Sequence, residues 1–315
     1  MKKIKFIIFL FLVTFATTFL TTSDLDHKAQ EMVMMVEEDS LRREIMKFAE
    51  KNRKEPINAR YDKVWRNVPG YDGYAVDIEK SYELMSDYGE FDENKIIYKP
   101  LKPNVSLADL DYAPIYRGNE HKDMVTIIVN VAWGEEYLED MLTIFDQNNV
   151  KVNFFLEGRW ARKNVDYLFK IHKEGHLIGN HSYSHPDFRH LSKNQLDQEI
   201  NKTNDFIERI TYETPKYLGP PSGAYNNVTV QAAGEHNMYT VLWTVDTVDW
   251  KKPMPEVIKS RVLNKVHPGA IILMHPTKNT VLALDEIIKG IKEKGLEIST
   301  LEDLLSSERV GAIHE

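Results

Sequence analysis

Not one of the 315 residues is cysteine, so the chain can hold no disulfide, thiol nucleophile or thiolate metal ligand. Any metal it takes must rest on His, Asp or Glu. Positive charge is also in short supply: 40 Lys and Arg stand against 48 Asp and Glu, a formal net charge of -8 with no basic stripe. Phosphate backbones select the opposite, so no nucleic-acid partner is expected. An anionic polymer would also be repelled on average. Neither an internal repeat nor a low-complexity tract is present, which excludes solenoids and arrays. With 42% apolar and 28% charged residues, the chain can bury the core of one large domain and add a smaller module.

The long hydrophobic run is terminal. Lys2, Lys3 and Lys5 precede an apolar stretch from Phe6 to about Leu20, and Thr21, Thr22, Ser23 and Asp24 follow it. A charged start, an apolar middle and a polar end read as an export signal. The neighbourhood of Ala16 makes a poor small-x-small cleavage site, and the run is shorter than the roughly 20 residues that span a bilayer comfortably. Residues 1–23 are therefore expected either as a signal peptide or as an uncleaved N-terminal anchor attaching the chain to the membrane. Both place it outside the cell, at the extracellular face of the membrane or in the wall.

Residues 24–122 are charged and tyrosine-rich, with one expected helix from Leu41 to Lys51 and turn signals at Asn67 to Gly70, Tyr71 to Gly73 and Lys99-Pro100. They read as a small stalk or module of unknown role. From residue 123 to about 308 the pattern becomes apolar strands alternating with amphipathic helices, which predicts an α/β fold with a parallel sheet. The expected strands are Val125 to Val131, Val152 to Leu156, Leu177 to Asn180, Tyr217 to Gly219, Met238 to Trp243, Ala270 to Met274 and Leu296 to Thr300. Helices are expected between them, at Glu136 to Asn148, Val165 to Glu174, Leu196 to Ile210, Val257 to Val266 and Val281 to Lys294. Seven strands in succession predict a distorted (β/α)7 barrel, whose functional groups gather beyond the carboxyl ends of its strands.

His181 and His185 lie at that end of the third expected strand, Asp246, Asp249 and Trp250 follow the fifth, and His275 follows the sixth. Two imidazoles four residues apart can aim at one divalent ion, and they suit zinc, cobalt or nickel alike. Tryptophans at a barrel mouth offer flat faces on which sugar rings stack, and Tyr183 lies between the two histidines. His172, His176 and His190 sit in polar surroundings and are expected at the surface.

In their order these motifs resemble the polysaccharide deacetylase family, also called the NodB-homology domain or carbohydrate esterase family 4. Gly179 to His185 resembles its His-x-x-x-His metal motif, Trp243 to Trp250 its Asp-x-x-Asp-Trp motif, and Ile271 to His275 its terminal Leu-x-His motif. The resemblance implies metal-assisted removal of acetyl groups from N-acetylated envelope glycan such as peptidoglycan. His181 and His185 would be metal ligands, and His275 the general acid held by Asp249. Trp250, Leu273, Ser222, Pro221, Trp133 and Tyr183 would form the substrate groove, with the Ser222 backbone N–H free to help stabilise an oxyanion. It is closest to relatives from spore-forming bacteria with a short N-terminal anchor and a similarly altered first motif, which implies a role in envelope or spore-wall metabolism.

The departures from the pattern carry more weight. The family's Thr-Phe-Asp-Asp-Gly aligns with Asn130 to Gly134, putting Ala132 at the base position and Trp133 at the acidic ligand position. Gly219 stands where the family's arginine pairs with that base. Losing base and arginine together is physically coherent, because a buried arginine without its carboxylate is strongly destabilising. A missing general base alone lowers rates about 10²- to 10⁴-fold. Glu135 or Glu136 would have to reach back as a substitute, in competition with their favourable place at the start of the following helix. The expectations are thus a crippled glycan deacetylase or a silent glycan-binding or scaffold protein of the envelope.

Overall fold

The computed structural model describes residues 26–28, 30–32, 34–36 and 40–309. The leader expected at 1–23 lies outside them, and among the described residues no helix is long and apolar enough to cross a membrane. The chain forms two compact units, one including residues 40–55 and 73–101, the other residues 56–72 and 102–309. The stretch expected as a single module at 24–122 therefore contributes to both, and the expected boundary at 123 falls inside the larger unit.

In the smaller unit, helix α1 (40–51) buries Leu41 and Ile45 against Val76, Met85 and Ile96. The second helix, α2 (Ile78–Met85), is capped by the Asp77 side chain. Before it, the larger unit contributes a hairpin of β1 (Arg60–Asp62) and β2 (Arg66–Val68). Within the smaller unit, β3 (Gly73–Val76) pairs antiparallel with β4 (Tyr98–Leu101).

The centre of the larger unit is β5 (Met124–Val131), buried at every one of its 8 positions. Val125, Ile127, Val129 and Val131 face one core and Met124 and Ile128 another, the period-2 alternation of a strand covered on both sides. Asn130 and Ala132 continue the inner row towards the carboxyl end. Around β5 run α3 (Leu138–Gln147), β6 (Asn153–Leu156), α4 (Gly158–Lys163), α5 (Val165–Lys173), β7 (Leu177–Asn180), α6 (Lys193–Thr211), β8 (Tyr217–Leu218), α7 (Asn227–Glu235) and β9 (Tyr239–Thr240). The chain then continues through β10 (Val245–Asp246), α8 (Pro255–Leu263), β11 (Ile271–Met274), α9 (Lys278–Glu293), β12 (Glu297–Ile298) and α10 (Leu301–Leu305).

The sheet has 8 strands in the order β10-β11-β5-β6-β7-β8-β9, with β12 beside β5 and every pairing parallel. It curls as a barrel does, in keeping with the expected fold class. Within the fifth strand expected at Met238 to Trp243 only the short β9 forms, and β10, which follows it at Val245–Asp246, lies on the opposite edge and does not pair with it. The segment before β5 laces that opening. Ile115 N–H donates to Thr240 O (2.8 Å), Leu242 N–H donates to Ile115 O (2.8 Å), and Gly118 N–H donates to Gly269 O (2.8 Å).

One residue type fills the inner space between β6, β7 and β8. The Phe155 ring is fully buried, and a Cβ built on Gly179 or Gly219 would lie 1.9 Å or 2.4 Å from its two sides. Both glycines are thus required by close approach. His176, expected at the surface, is 4% exposed and packs edge-on against Phe145 and Phe154. Its Nδ1 accepts from Val152 N–H, and burial lowers its pKa to about 4.

Candidate functional site

The carboxyl ends of the strands enclose a cavity of about 410 Å³ lined by Asn130, Ala132, Trp133, His181, His185, Ser222, Trp243, Asp246, Trp250, Leu273 and His275. Residues from loops far apart in the chain thus meet at one mouth, as expected from sequence. Two expected groove residues do not line it. Pro221 is buried beneath the loop, and Tyr183 turns towards Arg159 and Lys202, whose charged groups stand 5.8 and 5.6 Å from its ring. Trp243 lines the cavity although it was not assigned to the groove.

The loop after β7 aims both histidines. Asn180 Oδ1 accepts from Ser182 N–H and Ser182 Oγ accepts from His185 N–H, while Ser182 and His185 both adopt left-handed backbone (φ 66 and 57°). Such conformations cost of order 1–3 kcal/mol each for non-glycine residues and persist only when the surroundings impose them. The result is two imidazoles with ring centroids 5.0 Å apart. His181 Nδ1 lies 2.7 Å from the carbonyl oxygen of Gly219, a pairing that assigns the proton to Nδ1 and leaves the Nε2 lone pair free. Burial, then the neighbouring His185, hold its pKa at about 3, so the ring is neutral at ordinary pH. His185 is shifted in the same direction, chiefly by desolvation.

On the other wall, Asp249 is fully buried and its carboxylate is fixed by the His275 backbone N–H (2.6 Å), the Thr280 hydroxyl (2.8 Å) and His275 Nδ1 (2.7 Å). Anchored so, His275 directs Nε2 outward. Val248, left-handed at φ 52°, turns the chain so that Asp249 points inward while Trp250 stays 53% exposed. Asp246 fixes this loop by accepting from Val248 N–H at 2.8 Å.

The end of β5 is where the chemistry is missing. Ala132 offers a methyl group, and the Trp133 ring stacks on His275 with centroids 5.9 Å apart and an interplanar angle of 7°. Neither Glu135 nor Glu136 lines the cavity: Glu135 Oε2 accepts from Trp160 Nε1 (3.3 Å), and both residues occupy the 3-10 turn Glu135–Tyr137 that leads into α3. The rescue considered for them is not supported. Among the described residues no third His, Asp or Glu stands with His181 and His185. Catalytic zinc sites use three protein ligands, so this donor set does not fit a catalytic metal centre.

Comparisons with known proteins agree with the geometry. Residues 117–241 match the family model for polysaccharide deacetylase. The chain is 43% identical over 98% of its length, and 98% of the other, to the uncharacterized protein YlxY of Bacillus subtilis. It is 34% identical to the peptidoglycan-N-acetylglucosamine deacetylase of Bacillus cereus, covering 63% of this chain and 74% of that protein. Among solved structures, a CE4 family pseudoenzyme from Bacillus anthracis superposes with TM-score 0.79 and 44% identity, over 86% of this chain and 96% of that one. A mutant of that pseudoenzyme, described as having restored enzymatic activity, gives TM-score 0.80 at 43% identity over 86% of this chain and 99% of that one.

Proposed function

Because the chain belongs to the polysaccharide deacetylase family, we propose that it binds N-acetylated cell-envelope glycan in the groove beneath Trp250 without performing deacetylation at an enzymatic rate. The observation that carries this reading is the end of β5, where Ala132 and Trp133 stand beside two histidines that have no acidic partner. Amide hydrolysis needs water made nucleophilic, and that requires a base or a Lewis acid. At the position of the family's base the groove offers only the Ala132 methyl group, and its two histidines lack the third ligand a catalytic metal needs. His275, oriented by Asp249, can still give a proton to a leaving nitrogen, but that step follows an attack the site cannot promote.

Binding needs less. Trp133, Trp243 and Trp250 present indole faces at the mouth, and sugar rings stack on such faces through apolar contact. Export of the chain, by a signal peptide or on a membrane anchor, is part of the same reading, since the glycan lies outside the cell. So is a part in envelope or spore-wall upkeep that does not depend on turnover. The test is paired: acetate release from N-acetylglucosamine oligomers and peptidoglycan with added zinc or cobalt, and calorimetric binding of the same oligomers. Binding without release supports the reading. Release above a His275→Ala control overturns it.

A further inference from the structure

The hairpin of β1 and β2 adds a feature to the mouth that the four sequence motifs do not contain. Asp62 Oδ1 accepts from both Val64 N–H (2.7 Å) and Trp65 N–H (2.8 Å), closing a three-residue loop, and Arg66 follows in the left-handed conformation at φ 60°. Hairpins of this kind favour glycine or asparagine at that position, because a side chain there is strained. An arginine kept at a strained site calls for a reason beyond the turn itself.

Its surroundings supply one. Arg66 Nη1 donates to the Tyr61 hydroxyl at 2.5 Å, and the residue after its bridge partner Ile115 is Tyr116, whose hydroxyl is 2.8 Å from that of Tyr225. Among the described residues no carboxylate is within ion-pair distance of Arg66, although the chain as a whole carries a net charge of -8. A guanidinium has five N–H donors in a planar fork, and one hydroxyl leaves most of them open. Arg66 does not itself line the cavity, but the chain connects it to residues that do. Backbone bridges link Arg66 to Ile115 and Ile115 to Val241, Tyr225 lies three residues after the groove residue Ser222, and Gly223 packs against the ring of Trp243. At the groove itself, Lys251 stands 4.9 Å from the ring of the lining residue Trp250.

We infer that Arg66 is a carboxylate-reading subsite, so that the groove selects N-acetylated glycan bearing acidic ether substituents, as in peptidoglycan strands, over neutral N-acetylglucosamine polymer. The inference rests on the groove being a glycan site. Arg66 touches the ligand's acid group and takes no part in chemistry, while the Tyr61 hydroxyl orients its fork.

The test uses calorimetry on the full chain at low salt with two probes of equal length: a neutral N-acetylglucosamine oligomer, and a peptide-free peptidoglycan oligomer whose lactyl carboxylates are free. The acidic probe is expected to bind about 10-fold tighter or more, the size of a charge-assisted pair. Arg66→Gly is the informative variant, since glycine is favoured at that backbone position and folding is preserved. It should bring the acidic probe down to the affinity of the neutral one while leaving the neutral probe unchanged, and Arg66→Lys should keep only part of the preference. Equal affinities in the natural chain, or a preference that survives Arg66→Gly, overturn the inference and leave the groove reading intact. Failure of both probes to bind the natural chain overturns the groove reading, and this inference with it.

Discussion

Replacing Gly219 by arginine, the family's residue at that position, is expected to destabilise this chain, and Phe155 is the cause. Gly219 is buried, and a Cβ there would sit 2.4 Å from Phe155 Cδ2 and 2.9 Å from Cε2, so the ring must move before any longer side chain enters. It has little freedom to do so, because Gly179 meets its opposite edge at 1.9 and 2.0 Å by the same measure. Overpacking costs about 1–3 kcal/mol. A buried guanidinium facing Ala132 instead of a carboxylate adds a few more, which makes Gly219→Arg destabilising by roughly 4 kcal/mol. Phe155→Leu alone should cost about 1–2 kcal/mol for lost ring burial. If ring and guanidinium compete for one space, the double variant should be less destabilised than the sum of its parts by about 1–3 kcal/mol. Urea unfolding followed by tryptophan fluorescence gives all four corners of this cycle. A coupling energy within about 0.5 kcal/mol of zero would mean the arginine finds room elsewhere, and that Phe155 does not hold the space it would need.

Restoring both acids with Ala132→Asp and Trp133→Asp, and leaving Gly219 alone, should tighten zinc binding by at least about 10-fold and bring measurable acetate release; calorimetry with zinc and an acetate assay check both halves. Arg66→Gly should stabilise the fold by about 1 kcal/mol through relief of left-handed strain, read as a higher urea midpoint. The low folded-state pKa of His176, about 4 against an ordinary 6.5, means the native state resists taking up this proton. Stability from that residue is therefore full above pH 6.5 and falls by about 1.4 kcal/mol per pH unit as the pH drops towards 4. His176→Asn, whose side-chain oxygen can still accept from Val152 N–H, should remove one proton's worth of that slope in urea titrations between pH 7.5 and 4.

Sequence reasoning reached the strands that are apolar enough to be buried on both faces. β7 was located to the residue, and β5, β6 and β11 within one or two. The site was legible for a related reason: His181, His185, Asp249 and His275 each sit just beyond such a strand, so barrel geometry alone gathers them. What stayed hidden depends on partners distant in the chain. Met238 to Trp243 reads as one longer strand, but only Tyr239–Thr240 pairs as one with β8, and the residues after it bond to Ile115 from the segment before β5. His176 has polar neighbours in sequence and two phenylalanines in space. Nothing local marks Phe155 as the ring that occupies the space beside Gly179 and Gly219. The strained arginine of the β1–β2 turn was equally invisible, because only backbone angles reveal it.

The lacing of residues 115–118 across the open side of the sheet bears on how this molecule can be taken apart. Ile115 is wholly buried among the inner core residues, and its strand-like bonds to Thr240 and Leu242 satisfy an edge that would otherwise be bare. A truncation starting at residue 123 would keep every motif that betrays ancestry and yet expose an unpaired, apolar β-edge, a template for aggregation. The minimal autonomous piece must therefore begin upstream of residue 115, so that the zipper is inherited with the sheet it closes.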